Sequence, residues 1–216
     1  MSLNPYEALA ISSAVLAIFM LGSTHLRQNL WFYALSTFMI SAETGLAAMI
    51  HHEAHLLYVA IAICLLKAIG IPLFLNWIVR RIQVESDPGA FLAAPLSMHL
   101  SILLLGGSYL LTAQLPGLIA HGDSRFGATA AMSLLFTGVL LMLTRKFALS
   151  QIIGFLVLEN GIYLFALTQT HGMPMIIEMG ILLDVLVGVM IAGLLTFRIK
   201  KSFEHIDVSQ LTELTD

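Results

Sequence analysis

The chain has 216 residues, 58% of them hydrophobic and 11% charged. Soluble domains carry roughly 25% charged residues, so an ordinary water-soluble core is excluded. The formal net charge of -3 carries little information, because most charges lie at the ends of apolar runs, and the single cysteine, Cys64, excludes disulfides and cysteine-ligated metal or iron–sulfur centres.

The opening stretch, MSLNPYEALA, lacks a basic n-region and a small-residue exit, so the first helix is expected to be retained. A bilayer core needs about 20 mostly apolar residues per helix. Seven stretches qualify, at 4–23, 30–50, 56–79, 92–114, 126–144, 149–169 and 174–198. The second carries Glu43. The third reads CLLKAIGIPLFLNW and carries Lys67. Pro72 has no N–H, so the carbonyl of Ala68 is expected to lose its partner, and Gly70 adds slack. A freed carbonyl beside a buried lysine suits a wet cavity, and an ordinary proline kink is the plainer reading. Asp87-Pro88-Gly89 and Pro116-Gly117 mark the longest connections, and His99 lies near the inner end of the fourth span. The sixth, GFLVLENGIYLF, carries Glu159 and Asn160, and the seventh carries Glu178 and Asp184. The expected fold is an all-α integral membrane protein of seven transmembrane helices. Its regions are a four-helix part at 1–114, a three-helix part at 115–201 and a polar tail at 202–216.

Basic residues orient such a chain. Arg27, Arg80, Arg81, Arg145, Lys146, Arg198, Lys200 and Lys201 fall on one side of a seven-span arrangement, and Arg125 on the other. The N-terminus is therefore expected outside and the C-terminus inside. The outer loops collect His51, His52, His55, His121 and His171 instead.

A charge at mid-bilayer costs roughly 2.5–3.5 kcal/mol on translocon scales. Glu43, Lys67, Glu159, Glu178 and Asp184 therefore need a reason. Counted from the inner bases Arg27, Arg80, Arg145 and Arg198, four of them lie roughly 20–24 Å deep, in one layer. Glu178 lies nearer the outer surface. The spacing also repeats: Glu43 ("ETG") and Glu159 ("ENG"), Lys67 and Asp184, and Arg27 and Arg145 are each separated by nearly the same number of residues. Spans 1–3 and 5–7 are thus candidates for a parallel pseudo-repeat. Glu159 and Asp184 form the expected relay pair, with Lys67 and Glu43 extending it laterally and Glu178 linking it outward. Each residue has a plainer reading beside this one. A buried glutamate bonds a neighbouring helix, Lys67 neutralises one of the acids, and Glu178 snorkels to the interface.

Residues 132–214 resemble the K subunit of complex I and the C subunit of multi-subunit cation/proton antiporters. The likeness rests on the basic turn TRKFALS, the helix GFLVLENG, the acid four residues before glycine in DVLVG, and the ending RIKKSFEHIDVSQLTEL. The whole chain looks most like the hydrogenase-4 membrane component E family. By that resemblance Asp184 takes the place of the third-helix carboxylate. The second-helix acid would fall at Leu156, with Glu159 three residues on, on the same face. The resemblance implies a subunit of a complex I-like energy-converting hydrogenase or formate hydrogenlyase in a bacterial cytoplasmic membrane. It implies a proton or cation path through the layer, driven by redox chemistry elsewhere. The expected partners are antiporter-like subunits, a quinone-site-like helical subunit and peripheral hydrogenase and iron–sulfur subunits, within the lipid bilayer and without nucleic acid. A NiFe centre and iron–sulfur clusters belong to those partners. This chain, without a nucleotide motif or phosphate loop, is expected to hold no cofactor.

Three other classes compete. A passive scaffold would keep the charges as closed salt bridges. A haem-b anchor would use His25 and His99 as axial ligands. A free-standing transporter would need discontinuous helices at a substrate site, and no obvious pair of them is present.

Overall fold

The structure, a computed structural model, describes residues 5–82, 86–87, 90–114, 125–170, 180 and 188. The chain forms two units, Met1–Ile177 and Glu178–Asp216. Gly180 and Gly188, both helical, are the described residues of the second. The first holds α1 (Pro5–Gly22), α2 (Leu26–His51), α3 (Ala54–Ala62), a π-helical segment (Ile63–Gly70), α4 (Ile71–Ile82), α5 (Ala94–Gln114), α6 (Arg125–Thr144) and α7 (Ala148–Thr170). Among the described residues these make six helices long and apolar enough to cross a membrane, with α3, the π-segment and α4 forming one of them. This is an all-α membrane protein. The predicted seventh span, 174–198, lies outside the described residues apart from Gly180 and Gly188, so the pseudo-repeat falls outside them too.

Two expectations change, one a boundary and one a helix geometry. The second span starts at Leu26 rather than residue 30, which puts Arg27 on the helix instead of ahead of it. The third does not simply kink at proline. Pro72 cannot donate to Ala68, and its ring crowds that carbonyl. The backbone widens instead over Ile63–Gly70, where the N–H of Ile71 bonds the carbonyl of Leu66, five residues back. Gly70 fits because a Cβ there would stand 3.2 Å from the Leu65 carbonyl oxygen.

α6 and α7 pack most closely. A Cβ on Gly138 would lie 2.5 Å from the backbone nitrogen of Leu158, and one on Gly161 would lie 2.7 Å from that of Leu135. Small residues let backbones approach where lipid supplies no hydrophobic drive between helices. α5 buries a hydroxyl stripe of Ser97, Ser101, Ser108 and Thr112. Ser101 bonds Thr137 at 2.8 Å and Thr112 bonds Thr129 at 2.9 Å, both on α6. α2 is tied to α1 by Ser36 Oγ donating to the Ser13 carbonyl at 3.1 Å, and to α3 by Ser41 Oγ donating to Ala60 at 2.8 Å.

One end of the bundle is stitched by connections. The N–H of Asp87 bonds Thr24 O at 2.9 Å, and that of Phe91 bonds Thr144 O at 2.8 Å. The predicted inner bases Arg27, Arg80, Arg81, Arg145 and Lys146 lie at this end. Arg145 differs from the free loop charge that the charge count implies, since it is buried. Its guanidinium donates to Leu21 O at 3.0 Å and Ser23 O at 2.8 Å. It thereby caps carbonyls at the end of α1 that have no partner within the helix. Burial lowers its affinity for the proton below the usual arginine value, and Asp87 nearby opposes that.

Candidate functional site

The predicted layer of ionisable groups sits where α2, the π-segment and α7 meet. On α7, Glu159, Asn160 and Tyr163 follow within one turn. On α2, Thr37 and Thr44 are seven residues apart and so share a face. The two faces interlock. Asn160 Nδ2 donates to Thr37 Oγ1 at 2.8 Å, and Tyr163 OH lies 3.1 Å from Thr44 Oγ1. Both threonines also bond the preceding turn, Thr37 to Tyr33 O and Thr44 to Ile40 O, each at 2.9 Å. Buried hydroxyls fully supplied in this way fix the register of the two helices.

Lys67 reaches this layer from the π-segment. Its Nζ stands 3.3 Å from Glu159 Oε2, with the two side chains 8% and 2% exposed. Widening the helix adds a residue to the turn that carries the lysine, which changes the direction in which its side chain leaves the backbone. Sequence depth placed Lys67 and Glu159 at one level. The structure makes them the ion pair.

Glu43, also buried, is the second acid of the layer. Its Oε2 has no hydrogen-bond partner among the described residues. The hydroxyls of Tyr6 and Tyr163 both lie within its electrostatic reach. Tyr6 in turn donates to Leu46 O at 3.4 Å. Tyr163 is four residues from Glu159, one turn along the same face of α7. The Lys67–Glu159 pair and the group of Tyr163, Glu43 and Tyr6 thus lie about one turn of α7 apart. The layer holds two acids and one lysine among the described residues, and it is rich in hydroxyls.

Of the five residues read from the sequence, Lys67, Glu159 and Glu43 share this region. Asp184 and Glu178 lie outside the described residues, as does the expected Glu159–Asp184 pair. Leu156, where the second-helix acid of the K-like pattern would fall, is fully buried. Tyr163, Thr37 and Thr44 were missed. The available signal was the seven-residue spacing of the threonines opposite a polar turn on α7. His25 and His99 are both exposed, and His99 Nδ1 lies 2.6 Å from the Pro95 carbonyl of its own helix.

The chain is similar to the Uncharacterized protein Rv0085 of Mycobacterium tuberculosis, 34% identical over 169 residues that cover 76% of this chain and 75% of that one. It is also similar to Hydrogenase-4 component E of Escherichia coli K12, 27% identical over 202 residues covering 92% and 91%. The protein of the same name in Shigella flexneri gives the same figures. No protein-family model matches the chain. No solved structure matches it either.

Proposed function

Because the chain belongs to the family that includes Rv0085 and Hydrogenase-4 component E, we propose that it is a membrane subunit of a hydrogenase complex and carries protons or cations through its buried polar layer. The observation that carries this reading is the Lys67–Glu159 pair held 3.3 Å apart inside the bundle, with Glu43 beyond it. The parent complex is complex I-like, of the energy-converting hydrogenase or formate hydrogenlyase kind. Antiporter-like and quinone-site-like membrane subunits flank this chain. A peripheral module with NiFe and iron–sulfur centres supplies the energy. The protein lies in a bacterial cytoplasmic membrane, with the end that carries Arg27, Arg80 and Arg145 facing the cytoplasm.

Conduction follows from the chemistry of the side chains. Transfer from the Lys67 ammonium to the Glu159 carboxylate neutralises both groups at once. The Glu159 acid then passes its proton through bridging water to Tyr163. That hydroxyl gives up its own proton toward the Glu43 carboxylate as it accepts another. Glu178 and Asp184, on the predicted seventh span, are the further acids assigned to this path. Redox chemistry in partner subunits drives proton movement by altering the field around the layer.

The substitutions Glu43→Gln and Asp184→Asn test this reading. Neither removes the carboxylate that Lys67 meets in the structure. Each is expected to lower redox-driven ion translocation by the full complex in vesicles at least about tenfold, with the complex assembled. Unchanged translocation in both would refute the path. The second reading, a passive membrane bracket, draws on the same buried ion pair. A closed pair that never exchanges its proton would hold α7 against the π-segment and conduct nothing.

A further inference from the structure

A second feature lies away from the polar layer, at the stitched end. Between α2 and the helix formed by the π-segment and α4 there is a groove with a volume of about 450 Å³. This is within the range that holds a small ligand, roughly 300–1,000 Å³. Arg27 and Arg80 line it at the stitched end of the two helices, and its wall includes Leu30, Trp31, Ile69, Pro72 and Leu73. Pro72 is eight residues from Arg80, so the apolar wall runs about 12 Å along the helix from the guanidiniums.

We propose that this groove binds an anionic phospholipid, with its phosphate between Arg27 and Arg80 and one acyl chain along the apolar wall. Three observations and one general rule favour it. The helix surfaces that form the wall are open, with Trp31 77% and Leu73 63% exposed, which suits entry from the bilayer. Both tryptophans of the chain, Trp31 and Trp77, lie within one turn of these arginines, and tryptophan marks the level of lipid headgroups. Neither Arg27 nor Arg80 forms a salt bridge with a carboxylate among the described residues. Guanidinium forks match phosphate oxygens bidentately, and basic pockets between transmembrane helices are a recurrent headgroup site. A zwitterionic lipid carries its own ammonium and leaves the two positive charges uncompensated. A partner helix would have to bring acids to headgroup depth, where lipid phosphate already lies.

The test uses the full chain in nanodiscs made from mixtures of phosphatidylglycerol and phosphatidylcholine, with retained lipid counted by native mass spectrometry. The wild type is expected to favour phosphatidylglycerol about tenfold or more. Arg27→Gln with Arg80→Gln should bring retention down to the phosphatidylcholine level. Arg125→Gln, at the other end of the bundle, should leave the preference intact and so control for loss of charge alone. Equal retention of both lipids by the wild type, or a full preference in the double variant, would overturn the proposal. Inorganic phosphate is expected not to displace the lipid, because it lacks the chain that fills the wall. Displacement would make the site a plain anion site. A photo-crosslinker at position 73 in native membranes should label phospholipid, and labelling of a polypeptide instead would assign the groove to a partner.

Discussion

Lys67→Met is expected to cost the bundle roughly 3–5 kcal/mol, and Lys67→Met combined with Glu159→Gln is expected to recover most of that loss. The asymmetry comes from desolvation. The single change leaves a carboxylate on α7, 2% exposed, without the ammonium that offsets its removal from water. Removing both charges leaves neutral groups of similar volume, and apolar or neutral replacements of buried ion pairs are often harmless. Glu159→Gln alone should destabilise less, because a lysine has a long stem that can carry its ammonium toward the interface. The amount of folded chain in membranes and the unfolding midpoint in detergent report all three variants. A single Lys67→Met variant as stable as the wild type would mean that the pair does not hold α7 to the π-segment.

The second large effect concerns glycine. Gly138→Ala is expected to cost about 1–3 kcal/mol, because its Cβ would meet the Leu158 backbone, and a backbone cannot rotate away as a side chain can. The added methyl pushes α6 from α7, and α7 carries Glu159, Asn160 and Tyr163. The strain should therefore reach the hydrogen bonds from Asn160 to Thr37 and from Tyr163 to Thr44. Gly106→Ala and Gly107→Ala on α5 form the contrast. A Cβ at either would find nothing within 4 Å, so both should leave stability unchanged or slightly raised. The unfolding midpoints of the three variants, compared side by side, check the claim. Equal losses at Gly106 and Gly138 would show that helix propensity rather than close packing sets the cost.

Much of this architecture was legible because membrane physics writes strongly in sequence. Apolar length gave all six described spans to within a few residues, and counting from the basic ends put Glu43, Lys67 and Glu159 at one depth. Depth along a helix survives packing, since it depends on rise per residue alone. Direction around a helix does not. The lysine's partner was left open because the π-segment changes the rotation of every residue after Ile63, and neither Pro72 nor Gly70 announces a π-turn rather than a kink. Arg145 misled for a related reason. A basic residue at a helix end counts equally toward charge asymmetry whether it faces water or caps a neighbouring helix. The threonine face of α2 and the serine stripe of α5 were readable as small polar residues at helical spacing. In an apolar chain they look like dilution of a hydrophobic run until the facing helix is known.

Ion movement through the layer is the claim on which the rest depends, and the double variant Lys67→Met with Glu159→Gln tests it most directly. Its complex should assemble as the wild type does, since no buried charge is stranded. Redox-driven translocation in sealed vesicles, measured per electron transferred, should nonetheless fall at least about tenfold. Translocation restored along with assembly would contradict the account, and would leave Lys67 and Glu159 as a clasp between two helices.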